Sequence, residues 1–331
     1  MRNAFFIFTI CFLSCLSSQS QILKNVDSTK VYKVVDSMFI DRDLENYSAR
    51  IFTNYKVKRF SVRDDDSKTR FIPNNPFGVG FGFASRKIVI DIAFNLKTNK
   101  ENITNRFDLQ GTAILGKNHF VNIYVQTYKG FNVKNNYNEP TIFRDDIKSA
   151  TAGFNYLFTV SDIEFSMAML KAGVSKRNKN VYITGGLGTF AVFDYFSGNE
   201  TILSNQGALY YNEEANIKRY NSAGIGVLGG FISAFALPKN FVASFNVMPG
   251  IAIMNKQVTL TDDTYKPSNP MLYKVDYTAA LAYNADRYYI SLIYNGSAYS
   301  TSLDFDNKQL FSLSKAKLAF GYKLWAKKKN K

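Results

Sequence analysis

The residues able to do acid–base or nucleophilic chemistry in this sequence are few and widely spaced. The chain has one histidine, His119 in GKNHF, and two cysteines, Cys11 and Cys15. A Ser-His-acid mechanism needs an imidazole beside the nucleophile to take its proton, and no Gly-x-Ser-x-Gly elbow accompanies His119. A histidine in a short turn reads as a capping or surface residue, so a His-dependent hydrolase is disfavoured. Asp64-Asp65-Asp66 sets three carboxylates in a row, but the alternate spacing and glycine of a calcium loop are missing, and it reads as a solvated loop. Asp262-Asp263 and Glu213-Glu214 are adjacent pairs, which says nothing about the separation of two catalytic oxygens; they too read as solvated. GGLG at 185–188 and GVLGG at 226–230 lack the Lys-Ser/Thr of a phosphate loop and a helix after it, and read as strand glycines. No catalytic, cofactor-binding or metal-binding residue is assigned, no cofactor is expected, and the protein is not expected to be an enzyme.

The ends of the chain say where such a protein would work. MRNAFFIFTICFLSCLSSQSQ has a positive charge at Arg2, an apolar run from Ala4 to Leu16 and a small polar segment after it. That is the layout of a secretory signal, too short to span a bilayer as a helix, and predicts a signal peptide over 1–20 with cleavage near Gln21. The competing reading is a lipoprotein signal acylated at Cys15, against which Phe12 is a poor start to the acylation box. Either way both cysteines fall in this segment, so no disulfide framework or thiolate metal site is expected in the mature chain. The formal charge is +15, and without Arg2 it is 40 − 26 = +14. A basic chain invites nucleic acid as partner, but an exported protein rarely meets it. The lysines are spread through turns and loops and clustered at 327–331, which suits anionic lipid and lipopolysaccharide phosphates instead.

No later run of about twenty apolar residues occurs, so a membrane crossing would have to be made by strands. From 21 to 76 the sequence predicts an N-terminal periplasmic segment, with a short amphipathic helix through Val31, Val34, Val35, Met38 and Phe39 and an optional first strand at 55–62. A barrel is predicted over 77–325, followed by a basic tail at 326–331. Strands are expected near 77–85, 87–96, 105–115, 118–131, 147–160, 163–175, 181–196, 222–236, 240–254, 273–285, 287–300 and 310–325. Short turns at one end and long loops at the other alternate in each half. The halves fail to join by one strand between 160 and 196, where SKRNKNVYITGGLG reads as holding an extra strand or an inward-folded segment. The fold class is therefore all-β: an antiparallel transmembrane (outer-membrane) β-barrel of about 12 strands, range 10–14. A secreted β-sandwich or propeller is the alternative.

Alternation assigns the faces. Phe77, Val79, Phe81 and Phe83 would meet lipid while Gly78, Gly80, Gly82 and Ala84 leave room inside; Leu318, Phe320, Tyr322 and Leu324 oppose Lys317, Ala319, Gly321 and Lys323 in the same way. Phe and Tyr number 50 against a single Trp and recur along and at the ends of these segments, as interfacial girdles do. The polar face yields the lumen-lining candidates Asp91, Asn122, Gln126, Asp276, Arg287, Lys317 and Lys323.

Three blocks, FIDRDLENYSARIF, RFIPNNPFGVGFGFASRKIVIDIAFNL and FSMAMLKAGVSKRNKNVYITGG, resemble the domain-of-unknown-function family 4421. The most distinctive element is Pro73-Asn74 leading to Gly78 and Gly80; the third block departs from the family pattern at Glu164 and at Ser175-Lys176-Arg177. The resemblance implies an outer-membrane barrel of Bacteroidetes-type bacteria and carries no activity. Three roles remain to be separated: a narrow or gated transport or binding barrel, a structural barrel whose long external loops dock an envelope protein, and an envelope-lipid enzyme. The first is the leading expectation, with outer-membrane lipid around it and no nucleic acid as partner.

Overall fold

The computed structural model describes residues 47–84, 88–95, 102–115, 118–160, 181–285 and 287–324. Fourteen strands run through them. In chain order they are β1 (Ser48–Arg63), β2 (Lys68–Ile72), β3 (Phe77–Ala84), β4 (Ile88–Asn95), β5 (Asn105–Leu115), β6 (His119–Lys134) and β7 (Ile142–Thr159). After these come β8 (Val181–Ser197), β9 (Arg219–Ala236), β10 (Phe241–Thr259), β11 (Thr264–Tyr265), β12 (Met271–Asn284), β13 (Tyr288–Asp304) and β14 (Asn307–Lys323). Among the described residues, helix is confined to a turn of α-helix, α1 (Asn205–Ala208), and a 3-10 turn at Glu213–Ala215. None of it is long and apolar enough to cross a membrane.

The strands close on themselves. All sixteen residues of β1 pair with β14, and β9 pairs with β10, so the antiparallel ladder has no free end. The wall splits along one side. The upper part of β1 (Phe60–Arg63) pairs with β2, which pairs in turn with the end of β6 (Asn132–Lys134), giving a closed circuit of ten strands with β3, β4, β5 and β11 outside it. The lower part of β1 (Ser48–Tyr55) pairs with β3, and β3, β4 and β5 lead to the lower part of β6, so that end of the wall is twelve strands round. The barrel is thus narrow at one end and wide at the end where β1 begins and β14 finishes.

Local sequence places the split. Pro73 and Pro76 flank Asn74 and Asn75 between β2 and β3; proline cannot donate to a ladder, so one long strand is broken here into two that serve different neighbours. Asn74 stitches the breach: its amide donates to the Thr104 hydroxyl (3.0 Å), its Nδ2 to the Asn102 carbonyl (2.7 Å), and its Oδ1 accepts from the Thr104 amide (2.9 Å). Thr104 Oγ1 donates onward to the Gly130 carbonyl (2.8 Å). Gly130 has φ +86° and lies at a register shift in β6, between the stretch paired with β5 and the stretch paired with β2.

Alternation sorts the faces. Phe77, Val79, Phe81 and Phe83 on β3, Tyr288, Ile290, Leu292 and Tyr294 on β13, and Leu318, Phe320 and Tyr322 on β14 are exposed outward, while Phe52, Ser291 and Ala319 face inward and are buried. A side chain at position 80 is excluded by space: a Cβ on Gly80 would lie 2.5 Å from the Phe52 ring and closer still to the Ile92 carbonyl oxygen, so glycine admits Phe52 to the interior. The inside is packed rather than hollow. At the narrow end Phe60, Phe71, Phe131, Phe196 and Tyr220 form an apolar cluster with Ile202, Leu203, Ala215 and Ile217 from the β8–β9 loop, which folds down into the mouth. A second cluster, including Leu157, Phe190, Leu228, Tyr299 and Phe311, fills the middle.

Several sequence expectations are corrected. The optional strand at 55–62 is a full wall strand from Ser48, so the barrel begins at or before residue 48 and not at 77; the inward Arg50 and Asn54 and outward Ile51 and Tyr55 carry an alternation that a window starting at 55 cuts in half. β7 pairs directly with β8 over Lys148–Thr159, so no strand stands between them in the wall. The two halves therefore join without the extra strand read into SKRNKNVYITGGLG, whose tail is the start of β8. The strand expected at 163–175, the helix through Val31 and Phe39, the signal peptide and the tail at 326–331 lie outside the described residues.

Candidate functional site

Where β3, β4 and β5 widen the wall, inward side chains leave space. One cavity of about 150 Å³ is bounded by Asn122, Tyr124, Gln126 and Asp276. A larger one of about 310 Å³ lies against β1, β4, β5 and β14 and is bounded by Lys56, Asp91, Arg106, Asp108 and Lys317. The two share Gln110, Ile293, Asn295 and Lys315, so they adjoin, and together they are called the chamber.

Charge in the chamber is organised by pairs. Asp91 on β4 accepts from Arg50 Nε (2.9 Å) and from Lys317 Nζ, and the Lys317 ammonium lies 4.2 Å over the Phe52 ring. Asp108 on β5 accepts from Lys56 Nζ (2.6 Å) and from the Tyr128 hydroxyl (3.1 Å). Asp276 pairs with Lys274 (2.9 Å), whose Nζ also donates to Asn155 Oδ1 (2.8 Å), and it accepts from the Ser297 hydroxyl. Arg106 spans the breach, donating to the carbonyls of Lys56 (3.2 Å), Pro76 (3.2 Å) and Phe77 (3.1 Å). Lys315 faces the junction of the two cavities with Gln110 Oε1 at 3.5 Å, too long for a strong hydrogen bond, and no carboxylate among the described residues in contact. The larger cavity is thus lined by four cations, Lys56, Arg106, Lys315 and Lys317, and two carboxylates, Asp91 and Asp108, of which Asp91 also pairs with Arg50.

Of the residues singled out from sequence, Asp91, Asn122, Gln126, Asp276 and Lys317 come together around this chamber. Lys323 also faces inward, but at the wide rim, where Nζ donates to the Ala285 carbonyl (2.7 Å). Arg287 is a correction: it is exposed in the turn between β12 and β13, ahead of the strand whose alternation would have aimed it inward. Sequence reasoning passed over Arg50, Lys56, Arg106, Asp108 and Lys315. The signal was available for the last three, since Arg106 and Asp108 alternate with the outward Phe107 and Leu109, and Lys315 shares the face of Lys317.

The narrow end is closed above the chamber. Tyr137 stacks on Tyr210 at 4.4 Å, Thr69 Oγ1 lies 2.9 Å from the Tyr137 hydroxyl and 3.1 Å from that of Tyr211, and Arg144 holds Asp146 (2.7 Å) and the Thr201 carbonyl (3.0 Å). Burial raises the pKa values of the Tyr211 and Tyr137 hydroxyls despite their Thr69 contacts, so both stay neutral in the plug. Asp64, read as solvated from sequence, forms a local turn by accepting from the amides of Asp66 (2.9 Å) and Ser67. His119 sits at the wide end of β6, with Nδ1 2.7 Å from the Tyr156 hydroxyl.

No curated protein matches the chain significantly by sequence. Among solved structures it is similar to the outer membrane protease OmpT of Escherichia coli (9% identity, 84% of this chain and 97% of that one, TM-score 0.36). It is likewise similar to the beta domain of the Bordetella autotransporter BrkA (10%, 85% and 99%, 0.34) and to the COG4313 outer membrane channel of Pseudomonas putida F1 (5%, 87% and 98%, 0.31). Residues 34–324, which contain every described strand and both cavities, match one family, and the chain belongs to it: Domain of unknown function (DUF4421).

Proposed function

We propose that this protein is an outer-membrane barrel that binds an anionic ligand in the chamber beside β3–β5 and does not conduct freely. The observation that carries the reading is the β8–β9 loop seated in the narrow mouth, with Ile202 and Ile217 fully buried among wall aromatics. A porin keeps a water-filled lumen, whereas two apolar layers stacked above a polar chamber leave a site without a channel. An apolar outer face, a ladder that closes on itself and the expected export signal support the outer membrane as location. In that setting the wide end with its short turns faces the periplasm and the plugged end faces outward. Excess basic charge in the chamber supports an anion as the ligand, and the lone histidine, at the start of β6, gives no support to a hydrolytic role.

A second reading, a scaffold that docks an envelope protein through its outer loops, is favoured by the cross-links among those loops. Asn212 Nδ2 donates to the Phe305 carbonyl (2.7 Å), and the Tyr265 hydroxyl to that of Leu303 (3.0 Å). Planar-bilayer recording of the folded chain tests the proposal. Silence at ordinary voltages is expected, and steady steps whose ion selectivity shifts in Asp276→Lys would overturn it.

A further inference from the structure

Ladders elsewhere in the wide end of the wall run for most of a strand, but β4 and β5 pair through three residues only, Ile88–Ala113, Val89–Thr112 and Ile90–Gly111. Beyond them the stretches 91–95 and 105–110 keep their other partners, β3 and β6, and make no ladder with each other. The larger cavity reaches this seam: its lining includes inward Asp91, Asp108 and Lys317 together with Ile92, Phe94, Phe107 and Leu109, which are exposed on the outer face. Polar interior and apolar exterior therefore communicate sideways through the wall, below the plugged mouth.

We propose that this seam is a lateral portal for an anionic lipid of the surrounding bilayer. The phosphate of the head group would lie at Lys315, flanked by Lys56 and Arg106, and an acyl chain would leave between Ile92 and Phe94 on one side and Phe107 and Leu109 on the other. Charge and shape both favour this occupant. Four cations line the cavity against two carboxylates, and Lys315, at the junction of the two cavities, has no carboxylate in contact among the described residues. A volume of about 310 Å³ takes a head group and not a whole lipid, so the tails must remain in the bilayer. Separated strand edges are costly in hydrocarbon, where nothing can pair with them, and are tolerated where they border a polar cavity. The proposal rests on reading the chain as a membrane barrel whose chamber binds a ligand.

The test uses the full chain with Trp325→Phe, in phosphatidylcholine vesicles doped with phosphatidylglycerol brominated in its acyl chains. Tryptophan is placed at the portal (Leu109→Trp) or, as a control, on the outer face of β10 (Ile251→Trp). Expected is quenching at 109 that reflects about tenfold enrichment of the anionic lipid over 251, absent with brominated phosphatidylcholine and abolished by Lys315→Gln. Equal quenching at both positions, or enrichment that survives Lys315→Gln, would overturn the portal. Calorimetry with glycerol 3-phosphate, a head group without tails, separates the two readings. Lys315-dependent binding of it without lipid enrichment sinks the portal and leaves the binding barrel standing; binding of neither ligand sinks both.

Discussion

At Gly80 and Gly111 the same residue type carries opposite constraints. A Cβ on Gly80 would meet the Phe52 ring at 2.5 Å and the Ile92 carbonyl at less, whereas one on Gly111 would meet nothing within 4 Å. Gly80→Ala is expected to cost about 2 kcal/mol by overpacking, and Gly111→Ala to change stability by less than about 0.5 kcal/mol. The shift between folded and unfolded gel bands with increasing urea measures both. Asp91 is a second decisive residue, because its one carboxylate neutralises two cations, Arg50 and Lys317, that are themselves buried. Asp91→Asn keeps the volume and removes the negative charge that both cations face, so a loss of about 2–4 kcal/mol is expected in the same assay. No measurable loss would mean that chamber water or a bound anion already screens the pair.

At the scale of elements, the outer hairpins are tied to one another by a few carboxylates. Asp304, at the tip of the β13–β14 hairpin and well past the outward apolar residues of β13, accepts from the Ser268 and Asn269 amides of the loop before β12. Burial alone would raise its pKa. The Ser268 and Asn269 hydrogen bonds and the Lys256 charge outweigh that and hold it below the usual carboxylate range. A depressed carboxyl stabilises fully above its unfolded pKa, about 4, and loses that contribution as pH falls through the lower folded value. Protection of the Ser268 and Asn269 amides from hydrogen exchange should therefore collapse on acidification below about pH 4, and Asp304→Asn should remove the pH dependence. Protection unchanged down to the acid limit would show that the loop is held by other contacts.

For the whole molecule, closure is the condition of stability. The β1–β14 seam joins the first and last described strands over sixteen residue pairs and seals the two edges the ladder would otherwise leave. In hydrocarbon each unpaired backbone group costs several kcal/mol, so a nearly complete barrel is not nearly as stable as a complete one. Deleting residues from Leu318 onward takes six residues from the seam with β1, Ser48–Thr53, and strips the start of β13 as well. That truncation is expected to yield no heat-modifiable folded band in vesicles, whereas loss of the basic tail beyond residue 325 should leave the band intact.

What the sequence determined by itself is the face of most strand residues and the approximate extent of most strands. Period-2 alternation over stretches such as YYISLIY (288–294) and KLAFGYKL (317–324) is a local property, readable without knowing the neighbours. It placed Asp91, Asn122, Gln126, Asp276 and Lys317 inside, and it missed Arg50 only because the first strand was read as starting too late. Tertiary structure alone decided which strands are neighbours. Nothing local in β1 says that its upper part pairs with β2 and its lower part with β3, nor that β7 meets β8 directly. Those choices depend on hydrogen bonds between residues far apart in the chain, and they create both the breach in the wall and the chamber behind it. The plug follows the same rule: Ile202, Leu203 and Ile217 sit in what reads locally as an external loop, and only the ring of wall aromatics around them makes it a core.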